Sequence, residues 1–278
     1  MGEHMPFSGD GVSHFLSDSG GQKVGYERGL QKVFTVQDMI EELHPFLRKI
    51  FPIAIAENDR FLIYEPDPST RRYVFVKEAP APTPIPKGVR AAFPIEHYEN
   101  RIVCVVSGEI FDSLEGYATI FHEFMHCHQW ETCEPQLKEK LKVAQKAMQE
   151  GDHMWEINYP FPYESSEFSQ VYSLFLEALS EEDADVILEC RRRLRQILKE
   201  DEFEYMVWQE WKEGFARFIE NRVRNRLGLK ENHSGSEKPF HRVSFYEGGA
   251  RFIAHLSKRR PELLTKIERL FYEMLIAR

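Results

Sequence analysis

Residues 119–129 read Thr119-Ile120-Phe121-His122-Glu123-Phe124-Met125-His126-Cys127-His128-Gln129, and the five from His122 to His126 have the spacing H-E-x-x-H. On a helix, positions i and i+4 share a face, so both imidazoles can aim at one metal ion with Glu123 beside the first of them. Zinc accepts neutral imidazole nitrogen, and a site with three protein ligands leaves a position open for water. Glu123 is then placed to act as general base for that water. The spacing also arises by chance, so its context matters. Asp112 with Glu115 three residues on reads as a helix N-cap and its partner. Ile120, Phe121, Phe124 and Met125 supply a broad apolar face. The motif is therefore expected inside a core-facing helix. Two hydrogen-bonded core histidines without a metal are the alternative.

Upstream, Arg101 to Ser107 is a β-rich apolar run, expected as a strand leading into the motif helix. Its edge would suit backbone pairing with an extended peptide, while ordinary sheet core is its simpler role. Phe61–Tyr64 and Tyr73–Val76 flank Pro66-Asp67-Pro68-Ser69 and read as a β-hairpin. Residues 79–87 alternate Pro with other residues, as expected of a stiff extended connector or a proline-recognition ligand. Thr35 with Asp38 opens a predicted helix to about Ile50, interrupted at Pro45. Residues 1–30, rich in Gly, Ser and Asp, read as a loop-rich lead-in.

From about residue 114 the pattern is nearly all helical. Pro135 starts a helix that Gly151 stops, and the aromatic, proline-rich stretch Met154 to Tyr163 is expected to lie against the body, lining a cleft. Helices follow over Phe168–Leu179 and Glu182–Leu198, with Arg191, Arg192, Arg193 and Arg195 as a solvated face. A further helix spans Glu204 to about Leu227 and carries Trp211-Lys212-Glu213-Gly214-Phe215-Ala216. A two-histidine site needs another donor, and Glu213 beside a helix-interior Gly is the candidate, with Glu210 the fallback. Glycine there costs about 1 kcal/mol relative to Ala, and small neighbours let this helix approach another closely.

H-E-F-M-H at 122–126 and, on a later helix, W-K-E-G-F-A-R-F-I-E at 211–220 resemble the gluzincin metallopeptidases, peptidase MA-like proteins with a late E-G-x-A helix. The resemblance covers about residues 100–270. It implies one Zn2+ held by His122, His126 and Glu213, with Glu123 activating water. It also implies an α+β, mostly helical zincin-like fold with a small N-terminal sheet beside the motif helix. The interval from His126 to Glu213 is longer than in thermolysin-type enzymes. Ser244-Phe245-Tyr246-Glu247-Gly248-Gly249 is similar to the Tyr-x-x-Gly helix start of such enzymes, which makes Tyr246, and second His241, candidates to stabilise an oxyanion. An equal alternative is a plain helix start with Tyr246 in the core.

The chain thus reads as a single catalytic domain over 31–278, with an α+β part to residue 112 and a helical part from 113. The expected function is zinc-dependent hydrolysis of a peptide or protein substrate. The alternatives are a catalytically inactive binding module whose structural metal is closed by Cys127, His128 or a second Glu, and a metal-free helical interaction protein. The net charge of −9 argues against nucleic-acid binding through a basic surface. The four cysteines form no C-x-x-C pair, and a Cys/His zinc site using Cys127 or Cys133 lacks finger spacing. No run is apolar enough to span a membrane and none reads as a signal peptide, so the expected compartment is the cytoplasm.

Overall fold

The computed structural model describes residues 20–81 and 84–277. Helix α1 (Gly20–Ile40) precedes strands β1 (Ile53–Glu57), β2 (Arg60–Asp67), β3 (Arg72–Pro80), β4 (Arg90–Ile95) and β5 (Arg101–Ser107). The helical half holds α2 (Leu114–Thr132), α3 (Glu134–Lys138), α4 (Lys142–Glu150), α5 (Trp155–Asn158), α6 (Ser166–Glu181), α7 (Ala184–Ile197), α8 (Glu200–Arg226), α9 (Arg242–Arg259) and α10 (Ile267–Ile276). The described residues are α+β and mostly helical, with one small mixed sheet among them. No described helix is long and apolar enough to cross a membrane.

The sheet order is β3-β2-β1-β5-β4, and only the β1–β5 pair is parallel. Strand periodicity divides β5 between two cores. Cys104 and Val106 join the large core beneath the helices, whereas Val103 and Val105 join a smaller cluster with Ala54, Phe61 and Ile63 on the opposite face. Burial on both faces explains why β5 is an unbroken apolar run. It also places β5 inside the sheet, so the edge anticipated there belongs instead to β4.

The hairpin forms as β2 and β3, and Gly151 ends α4 in the left-handed region at φ 70°. Other boundaries move. The lead-in reading of residues 1–19 lies outside the described residues, but from Gly20 the chain is helical rather than loop. Leu30, Val33, Phe34, Gln37 and Ile40 recur at helical spacing and are buried, so packing overrides the glycines. The helix predicted from Thr35 to Ile50 is in fact the end of α1 followed by a 3-10 turn at Pro45–Arg48, because proline opens a helical turn more readily than it sits within one. Residues 79 and 80 of the expected connector belong to β3. The N-cap of α2 is Ser113 rather than Asp112, its Oγ accepting from the Gly116 N–H at 3.1 Å. Arg191, assigned to a solvated face, is fully buried in an ion pair with Glu210.

Helix α8 is the axle of the helical half, lying against α2 on one side and α9 on the other. The glycine beside Glu213 does allow a close approach, but to α9 rather than to α2. A Cβ on Gly214 would stand 2.6 Å from the Gly249 Cα, and a Cβ on Gly249 would stand 2.0 Å from the Glu210 carbonyl oxygen. Backbone meets backbone there, so no side-chain rotation relieves a Gly249→Ala clash. That variant is expected to lose about 1–3 kcal/mol, read from the urea-unfolding midpoint.

The turn around Pro45 holds a second feature of consequence. The Phe46 ring stacks on His128 at 4.7 Å, His128 Nε2 donates to the Phe46 carbonyl at 2.7 Å, and His44 Nδ1 accepts from the Phe46 N–H at 3.2 Å. Burial lowers both imidazoles from the ordinary 6.5 to about 4. Since the folded values lie below the unfolded ones, this stabilisation is complete above about pH 6.5 and is lost as pH falls toward 4. Each shift corresponds to roughly 3 kcal/mol. Urea midpoints measured from pH 8 to 4 are expected to fall below 6.5, before most carboxylates titrate; a flat profile between 6.5 and 5 contradicts this.

Candidate metal centre

Every residue of helix α2 from Ile120 to Gln129 is buried, and α8 packs across it so that residue 129 faces 212 and residue 122 faces 220. Between those contacts the motif face of α2 meets Glu213. His122 Nε2 and His126 Nε2 are 3.2 Å apart, and Glu213 Oε2 lies 3.7 Å from the first and 3.4 Å from the second. Donors held 2.0–2.1 Å from a tetrahedral zinc ion stand about 3.3 Å from one another, which this triangle fits. Among the described residues, these three are the His, Cys, Asp and Glu side chains close enough to share one ion.

The outer nitrogens are anchored too. His122 Nδ1 is 3.0 Å from Glu220 Oε2, and His126 Nδ1 is 2.9 Å from Gln129 Oε1. Glu220 is held by Arg217 at 3.4 Å and Asn232 at 3.3 Å; Gln129 Nε2 donates to the Lys212 carbonyl at 3.0 Å. With Nδ1–H donated outward, each ring presents the lone pair of Nε2 to the shared point. Neither Glu220 nor Gln129 was picked out from the sequence. The available signal was spacing: Gln129 is three residues beyond His126, and Glu220 is two turns beyond Glu213.

Electrostatics follow from burial and proximity. Burial opposes charge on His122, but hydrogen bonds to Glu213 and Glu220 outweigh it and lift the metal-free imidazole to about 10. Burial likewise works against the Glu213 carboxylate, yet His126 and His122 hold it well below the usual range. Glu123 differs. Its carboxyl is pushed up by burial, which the two histidines only partly offset.

All three donors and Glu123 line a cleft of about 470 Å³ between β4 and helices α2, α5, α8 and α9. Tyr246 from α9 lines it as well, its hydroxyl accepting from Arg242 Nη1, while Arg242 stands 3.8 Å from Glu213 Oε1. Burial and the nearby Glu213 raise the Tyr246 phenol, so it remains a hydrogen-bond donor. Met154 and Ile157 form part of the wall, as expected of the aromatic, proline-rich segment. A larger hollow of about 1090 Å³ between α1 and β3 contains none of these donors.

The other candidates go elsewhere. Glu210 is fully buried and turned away, 2.6 Å from Arg191 Nη1 and 3.2 Å from the Tyr172 hydroxyl, so it is not the third donor. His241 is exposed and caps α9, its Nδ1 accepting from the Val243 N–H at 3.3 Å. Cys127 is in the core and His128 is bonded to Phe46, so neither joins the triangle.

The fold and the site define a mostly helical α+β chain with a two-histidine, one-carboxylate donor set opening on a cleft. Comparisons with protein-family models, curated proteins and solved structures return no match.

Proposed function

We propose that the chain is a zinc-dependent hydrolase of the zincin-like, gluzincin type that cleaves peptide bonds. The observation that carries this reading is the triangle of His122, His126 and Glu213, with donor separations suited to zinc and with Glu123 beside it on the same cleft. A bound zinc ion supplies Lewis acidity and lowers the pKa of water.

The protein's own groups account for the remaining steps. Glu123 accepts the proton of the attacking water and passes it to the leaving amine, a role suited to a carboxyl raised by burial. The Tyr246 hydroxyl, held by Arg242, donates to the oxyanion that forms at the carbonyl. Strand β4 pairs with β5 on one side, and Ala91 to Pro94 line the cleft, so an extended peptide can continue the ladder.

An inactive binding module with a closed structural metal would need a fourth protein donor. Cys127, His128 and Glu210 are each engaged elsewhere, which favours the hydrolase. Metal analysis of freshly purified protein is expected to find one zinc per chain. Peptide cleavage is expected to stop on chelation and return with added zinc. Metal-free protein with no thermal shift on chelation would refute the reading.

A further inference from the structure

The Trp130 end of the cleft is closed by four charges in a ring. Lys138 Nζ lies 2.8 Å from Glu134 Oε1 and 2.5 Å from Glu156 Oε1. Lys212 Nζ completes the circuit at 2.8 Å from each of the same two carboxylates. The Lys138 ammonium also stands 5.7 Å from the Trp130 and Trp208 rings. Two carboxylates and two indole faces are a cage for one organic cation.

The two lysines differ in how firmly they are held. Lys212 is on the long helix α8, directly before Glu213, and its side chain is 15% exposed. Lys138 is the last residue of the five-residue helix α3, and its side chain is 25% exposed on the cleft side. The carboxylates cannot leave: Glu134 is 2% exposed, and the segment bearing Glu156 is fixed to α8 by Tyr205 and Gln209, which both donate to its carbonyl. If Lys138 withdraws, two carboxylates remain with one ammonium, and a vacancy of cationic shape faces the cleft.

We propose that this end of the cleft is a seat for a primary-amine or guanidinium side chain, which the chain's own Lys138 fills, making Lys138 the residue that decides which side chains the cleft accepts. With Lys138 seated, the two carboxylates and two ammoniums of the quartet cancel. Met154 and Ile157, both more than half exposed, and Trp130 then offer surface to an uncharged substrate side chain. A basic side chain meets no unpaired carboxylate in the quartet and is disfavoured at this end. The substrate part of this inference rests on the hydrolase reading; the seat itself does not.

Two measurements test it. In the first, peptides carrying Leu, Lys or Glu at each position flanking the cut are compared by kcat/KM. Wild type is expected to prefer Leu over Lys at least tenfold at one position, and Lys138→Ala to remove or invert that preference there. Equal cleavage of the Leu and Lys peptides by wild type, or an unchanged ranking in the variant, overturns the proposal. In the second, n-butylamine is expected to raise the Tm of Lys138→Ala by several degrees and leave wild type unmoved, with n-butanol inert on both. An equal amine shift in both proteins overturns the seat. A Lys138→Ala protein that folds only with butylamine supports it; one unfolded with and without the amine makes the quartet a structural clamp and also overturns it. The amine experiment needs no turnover, so absent peptidase activity would refute the hydrolase and leave the seat to its own result.

Discussion

Glu123→Gln is expected to retain one zinc per chain and to lose turnover by about 10²–10⁴, the range that a positioned general base contributes. Glutamine preserves the shape of the side chain and its place beside His122 but cannot take the proton of water. Glu123 is outside the donor triangle, so the metal should stay. Glu213→Gln should behave in the opposite way, losing metal affinity first, because it removes a charged donor. Metal content and kcat/KM measured on both variants separate the roles. A Glu123→Gln protein with wild-type kcat/KM would remove Glu123 from the chemistry, and one that lost its zinc would make it a ligand.

The second large effect is one of stability. Arg191→Met is expected to cost about 3–5 kcal/mol, since it strands the Glu210 carboxylate in the core. Arg191 and Glu210 are both fully buried, their charges 2.6 Å apart, and Arg191 Nη2 also donates to the Met274 carbonyl at 2.9 Å. Its guanidinium stands 4.9 Å from the Phe252 ring and 5.5 Å from that of Phe175. Burial raises the Glu210 carboxyl even with Arg191 present, so removing the arginine leaves little to hold the charge. The double variant Arg191→Met/Glu210→Leu should regain much of the loss, because two apolar side chains can replace a buried pair whose single members cannot stand alone. Urea unfolding of the two single variants and the double variant is the measurement; an Arg191→Met protein as stable as wild type contradicts the account. Arg192, paired with Glu189 on the surface, should tolerate the same change.

The contrast between Arg191 and Arg192 shows where sequence reasoning stopped. Four arginines on one charged helix look alike, and only the packing of α6, α8, α9 and α10 around α7 buries one of them. Glu210 and Glu213 present the same ambiguity. They are three residues apart on α8, yet one is pulled into the core by Arg191 and the other faces the histidines. Choosing between them needs the rotation of α8 about its axis, which is set by the Gly214–Gly249 crossing with α9. Gln129 and Glu220 are not legible in the sequence for a related reason, since amide and carboxylate side chains on helices are common and gain meaning only when an imidazole stands opposite.

What the sequence determined by itself is local. Helical spacing placed His122 and His126 on one face with Glu123 adjacent, alternation and turn residues made the hairpin, and an unbroken apolar run made β5 a strand. Each depends on residues a few positions apart, where backbone geometry alone dictates which side chains are neighbours. The tertiary structure decided the pairings between distant segments. It made β4 the edge beside the cleft, chose Glu213 over Glu210, turned Tyr246 inward and His241 outward, and closed the Lys138 quartet. Those outcomes depend on how helices and strands pack against one another, and packing is a property of the whole core that no short stretch of sequence contains.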